Sequence, residues 1–128
     1  MKTFRFRDFQ VYKDARKFRS KVGAILKQFP QSEKYRLVDQ VHRSCLSVLL
    51  NVAEGSAKHS DLDFARFLEM SIGSLNELVA GFDAAIDDQF ITEEQRKAIE
   101  IEAENLIKQL GGFIKTLRAP KKESTPTS

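Results

Sequence analysis

Apolar residues recur along this chain at alternating intervals of four and three, the period that puts them on one face of an α-helix. From Asp8 to Phe29 the row is Val11, Ala15, Phe18, Val22, Ile25 and Phe29, with Asp8 as an N-cap or first-turn acid and Pro30 ending the helix. A second helix is predicted over 33–54, opened by Ser32 as N-cap and closed by Gly55 in the left-handed cap conformation. It carries two apolar rows, Val38, Val41, Cys45, Val48, Val52 and His42, Leu46, Leu49, Ala53, which lie side by side as one broad buried face. A third helix, 60–88, follows Ser60 and Asp63 in a variant capping box and runs through Phe64, Leu68, Ser71, Leu75, Leu78, Phe82 and Ala85. Thr92 and Gln95 form a capping box for a fourth, 92–117, with Ile99, Ala103, Leu106, Leu110, Phe113 and Leu117 in register straight through Gly111 and Gly112.

Four amphipathic helices of similar length joined by short loops predict an all-α, antiparallel up-down-up-down four-helix bundle over residues 1–118. Residues 1–8, with Phe4 and Phe6 flanking Arg5, read as a short arm that packs against it. The stretch 119–128 has two prolines and no apolar period, so it reads as a disordered tail.

A chain of 128 residues is the size of one domain. It holds no apolar run long enough to span a bilayer and no secretory h-region, so the expected setting is cytoplasmic and not membrane-bound. Its one cysteine, Cys45, sits on an apolar row and reads as a buried reduced thiol. The net charge of +3 conceals a division. Residues 1–60 hold 13 Lys and Arg against 5 Asp and Glu, whereas residues 61–104 hold 3 against 12. Such a split suits contact between the basic side of one copy and the acidic side of the next, or a polyanion on the basic side.

Catalytic chemistry finds no foothold. No Glu is followed by His three residues later, as an inward-facing carboxylate metal site in a bundle needs, and the two histidines, His42 on an apolar row and His59 in a loop, lack companions at ligand spacing. Ser44, Ser47, Ser71 and Ser74 have no base in sequence context, and phosphate-binding glycine loops are missing. The expectation is a non-enzyme with no catalytic residues, cofactor, metal or small-molecule substrate.

Two surfaces remain as candidates. Gln40, Ser44, Ser47, Asn51 and Glu54 form a polar row along the second helix, with few charges and poor helix formers. It reads either as an exposed face or as a subunit interface in which Asn51 and Gln40 set register. Lys13, Arg16, Lys17 and Lys27 form a basic face on the first helix, which is either solvated, meeting an acidic neighbour, or a contact for RNA or DNA. Gly73, Ser74 and Gly81 on the third helix allow a neighbouring backbone to come close.

The segments Phe9–Ala15, Phe29-Pro30, Gln40–Ser47, Asn51–Gly55 and Gly73–Leu78, in this order, resemble the bacterial four-helix bundle proteins encoded in intervening sequences of 23S ribosomal RNA. The likeness covers roughly residues 4–117. It implies a homopentameric ring with no established enzymatic role, and a more distant similarity to nucleic-acid-associated accessory proteins of diversity-generating retroelements. Gln40, Arg43, Ser44, Ser47, Asn51, Glu54, Gly55, Gly73, Ser74 and Glu77 match the pattern, whereas His42 stands where a basic residue is usual and Cys45 where a small one is usual.

Overall fold

The computed structural model describes residues 2–121. Four helices, α1 (Gln10–Leu26), α2 (Leu37–Ser56), α3 (Asp61–Asp87) and α4 (Glu93–Arg118), pack in a ring with each against its two neighbours, α1 closing on α4, in an antiparallel up-down-up-down bundle. The core is a column of side chains pointing inward from all four, among them Phe18, Val22, Val48, Val52, Phe64, Leu75, Phe82, Leu106 and Leu110. No strand occurs among the described residues.

The caps of α3 and α4 follow from local sequence. Ser60 Oγ accepts from the Asp63 amide at 3.1 Å. Thr92 and Gln95 exchange both capping-box bonds, at 3.0 and 3.1 Å. Each satisfies amide donors that a helix N-terminus otherwise leaves unpaired. The C-terminus of α3 closes in a Schellman motif, in which the Phe90 amide reaches Ala85 O at 2.9 Å and the Gln89 amide reaches Ile86 O at 3.0 Å. Gln89 takes the left-handed conformation the motif requires, with φ of 62°. Gly111 and Gly112 continue α4 without a break.

The other ends depart from expectation. Asp8 closes a 3-10 turn, Arg5–Asp8, and pairs with Lys2 at 2.9 Å; Phe9 is the N-cap of α1, with no side-chain bond. Ser32 does not cap α2 either. Pro30 leads into a 3-10 turn, Gln31–Glu33, and Arg36, with φ −116° and ψ −101°, breaks the helical path before Leu37. Gly55 is helical and buried, not a left-handed cap. A Cβ on it would lie 2.7 Å from Phe67 Cβ and 2.9 Å from Phe64 Cδ1, so the glycine is there for the close approach of α3. Gly81 serves the same seam further along, where a Cβ would lie 2.8 Å from Val41 Cγ2.

The two-row face of α2 is narrower than the spacing predicts. Val41, Cys45, Val48 and Val52 are buried, but of His42, Leu46, Leu49 and Ala53 only Leu49 is, and His42 is exposed. The helix is rolled toward α3, so Ser44 and Gly55 take the burial that His42 and Leu46 lose. In α1 and α4, Leu26 and Ile114 are buried where the strict heptad puts Ile25 and Phe113, because a 3.6-residue turn drifts against a 3.5 repeat. Ala119 to Lys121 are non-helical and exposed, and the rest of the expected tail, 122–128, lies outside the described residues.

Candidate functional site

The polar row of α2 lies along its seam with α3. Gln40 Nε2 donates to Glu77 Oε1 at 2.7 Å. Ser44, buried, donates back to Gln40 O at 3.0 Å. Ser47 Oγ accepts from Ser74 of α3 at 2.8 Å, and Asn51 Nδ2 donates to Ser47 O and Oγ at 2.9 and 3.0 Å. Beneath them Ser71 donates to Val48 O at 3.0 Å from a fully buried position. Small side chains bring the helices close, and the hydroxyls then find partners across the gap. No buried side-chain polar atom is left unpaired among the described residues. These serines bond to carbonyls and to one another rather than to an imidazole or carboxylate, so the arrangement locks two helices and does not activate a nucleophile. Gln40 and Glu54 are exposed at the edge of this strip, with Ser47 and Asn51 half-buried.

The outer face of α2 holds what the spacing argument missed. Leu46, Leu50 and Ala53 of α2 and Ala57 just past its end recur at four, three and four residues on the side away from the core, so the helix has a second apolar stripe. Leu46 is 39% exposed and Leu50 56%. Met70, one turn before Ser74 on α3, is 54% exposed. The signal was present in sequence as an excess of apolar positions around the helix, but assigning Leu46 and Ala53 to the buried face concealed it.

On the outer side of α1, Lys13, Arg16, Lys17 and Ser20 line a shallow open groove, and Lys27 lies just past the end of the helix. None of these four cations forms an ion pair among the described residues. Acids elsewhere are engaged. Arg96 lies among Asp83, Glu93 and Glu100, Arg118 pairs with Glu69, and Lys21 with Glu102. The seam of α1 with α4 is completed by Gln109 Nε2 donating to Asp14 Oδ2 at 2.9 Å. With a second bond from Gln10, it holds the Asp14 carboxyl below its ordinary range.

Cys45 is buried, and desolvation pushes its thiol up to about 11, which keeps it protonated and inert. No group of three His, Cys, Asp or Glu is placed to hold a metal among the described residues, and no described helix is long and apolar enough to cross a membrane.

The fold and these surfaces define a class: an all-α bundle whose polar chemistry is spent on holding helices together and whose unmet features face outward. The profile of the 23S rRNA-intervening sequence proteins matches residues 7–112, and the chain belongs to that family. Its fold is similar to that of a protein of unknown function from the S23 ribosomal protein family of Bacteroides thetaiotaomicron, with a TM-score of 0.75 at 24% identity over 82% of this chain and 98% of that one. No curated protein matches the chain. These matches carry no link to retroelement accessory proteins.

Proposed function

We propose that this protein is a non-catalytic assembly module that associates with copies of itself through the outer face of α2. The observation that carries this reading is the exposed part of the stripe on that face, Leu46 and Leu50, since a helix has no internal use for large apolar side chains turned to water; Ala53 and Ala57 at its far end line a groove beneath the N-terminal arm. The rim residues Gln40, Ser47, Asn51 and Glu54 border the stripe on its α3 side and set register, while Ser44 beneath them holds α2 in place. The split between a basic N-terminal half and an acidic middle favours heterologous contacts, which close into a ring. Five copies is the number the family resemblance supplies. Sedimentation of the wild type and of Leu50→Glu at tens of micromolar tests this: a closed oligomer that the substitution dissociates supports it, and a monomeric wild type overturns it.

A second reading has its own support. Lys13, Arg16, Lys17 and Lys27 are unpaired, the state expected of a surface that meets the phosphates of RNA or DNA. It requires binding that weakens steeply with salt. Affinity unchanged when the four become Ser would remove it.

A further inference from the structure

At the end of the bundle where α2 gives way to α3, the N-terminal arm folds over the turn and encloses a groove of about 710 Å³, within the range of small-ligand sites. Its walls include Phe4, Arg5 and Phe6 from the arm and Ala57, Lys58 and His59 from the turn. The arm is firmly attached. Arg5 donates twice to Ser56 O, at 3.2 and 2.8 Å, at the C-terminus of α2, and its guanidinium lies 5.6 Å from the Phe9 ring and 5.4 Å from the Phe64 ring. Phe6 in turn meets Tyr12 at 4.9 Å between centroids.

Phe4 is treated differently. It is 55% exposed, touches Phe6 edge-on at 6.2 Å, and has the Arg7 guanidinium 4.9 Å from its centroid. An anchored arm thus presents an aromatic ring to water with the Arg7 cation against it, beside a groove edged by Lys58, which leans on the Phe67 ring. The nearby acids are partly neutralised, Asp8 by Lys2 at 2.9 Å and Asp61 by Lys121 at 3.9 Å, while Glu54 stands one turn back on α2. An acidic peptide would satisfy the charges and leave the ring unmatched. A ligand that is planar and anionic at once satisfies both.

We propose that this groove binds one nucleotide unit of a single-stranded nucleic acid, its base stacked on Phe4 and its phosphate met by Lys58, whose ammonium lies 4.9 Å from the Phe67 ring in the free protein. Stacking on an aromatic ring beside a positive groove is how proteins hold single strands without reading their sequence. The site lies apart from the charges of α1, which offer a strand nothing to stack on. It shares Ala53 and Ala57 with the stripe on the outer face of α2, so the two proposals are told apart in the monomer that Leu50→Glu provides.

The chain contains no tryptophan, so Phe4→Trp introduces a single tryptophan in the groove, excited selectively over Tyr12 and Tyr35. Titration with a 12-mer of oligo(dT) at about 50 mM salt is expected to quench it, and the same length of duplex is not. Phe4→Ala and Phe4→Leu should each weaken single-strand binding about tenfold, the effect of losing one stacked base, with duplex binding within about twofold of wild type. Leucine keeps the apolar contact with Phe6 and loses only the π-face, so equal losses in both variants, with unchanged thermal melts, separate stacking from arm packing. Lys58→Ser should lower the slope of log affinity against log salt by about one. Leu50→Glu should leave the quenching intact even where it dissolves the oligomer. Equal binding by Phe4→Leu and wild type overturns the proposal, as does quenching by polyglutamate or by phosphatidylserine vesicles as strong as by the oligonucleotide.

Discussion

The glycines of this bundle should respond to one substitution with opposite signs. Replacing Gly by Ala in a helix interior recovers about 1 kcal/mol of backbone entropy and propensity wherever the new methyl has room. At Gly73 nothing lies within 4 Å of the added carbon, so Gly73→Ala is expected to stabilise by about that amount. At Gly55 the same carbon falls 2.7 Å from Phe67 Cβ, an atom next to the backbone that cannot swing aside, and 2.9 Å from the buried Phe64 ring. Relief requires moving the start of α3, at a cost in the upper part of the 1–3 kcal/mol range for overpacking. After the propensity gain the net is a loss of about 2 kcal/mol. Gly81→Ala meets Val41 Cγ2 at 2.8 Å, the end of a stiff β-branched side chain, for a net loss of about 1 kcal/mol. For a domain of this size about 1 kcal/mol moves Tm by about 4 °C, so thermal unfolding followed by circular dichroism should place Gly73→Ala about 4 °C above wild type. Gly81→Ala should fall about 4 °C and Gly55→Ala about 8 °C below it. A Gly55→Ala protein as stable as wild type would refute the view that this residue exists for the α2–α3 approach.

Three other outcomes follow from single sites. Gln89 occupies the left-handed position of the α3 Schellman motif, so Gln89→Gly should raise stability by about 1 kcal/mol, read from the urea midpoint. Cys45, with its thiol raised to about 11 from 9.0, should be alkylated by iodoacetamide at pH 8 at least about a hundredfold more slowly than a free thiol; the rate of a free thiol would contradict its burial. Asp14, bonded by Gln109 and Gln10, has a carboxyl lowered from 3.8 in the fold, so the unfolded chain holds that proton more tightly. Its stabilisation is complete above 3.8 and lost as pH falls through the lower folded value, and a urea midpoint in Asp14→Asn that declines less between about pH 5 and pH 2.5 than in wild type would show it.

What could be read in advance was what neighbouring residues decide among themselves. Thr92 with Gln95, Ser60 with Asp63, and the rows through Phe18, Leu75 and Leu106 need only a helix period and a cap, and the structure has each of them. Ser32 and Gly55 carried familiar local signals and took other roles, because Arg36 interrupts the path into α2 and because α3 presses against its end. The polar row of α2 was visible as a row, but which neighbour it faces depends on how far the helix is rolled about its axis. That roll is set by Gly81, Ser71 and Phe67 on another helix. The exposure of Leu50, and of Phe4, whose arm is expected to pack against the bundle, was not legible for the same reason: exposure of an apolar side chain belongs to the assembled bundle, not to the spacing of its own segment.

The closing of α1 on α4 has a consequence for synthesis. Three of the four seams join helices that follow one another in the chain, whereas this one joins the first helix made to the last. Translation at roughly 5–20 residues per second leaves α1 waiting several seconds before the start of α4 is even made. Until then the side of α1 that packs on α4 has no partner, and its apolar residues stay open to whatever the ribosome exit brings near.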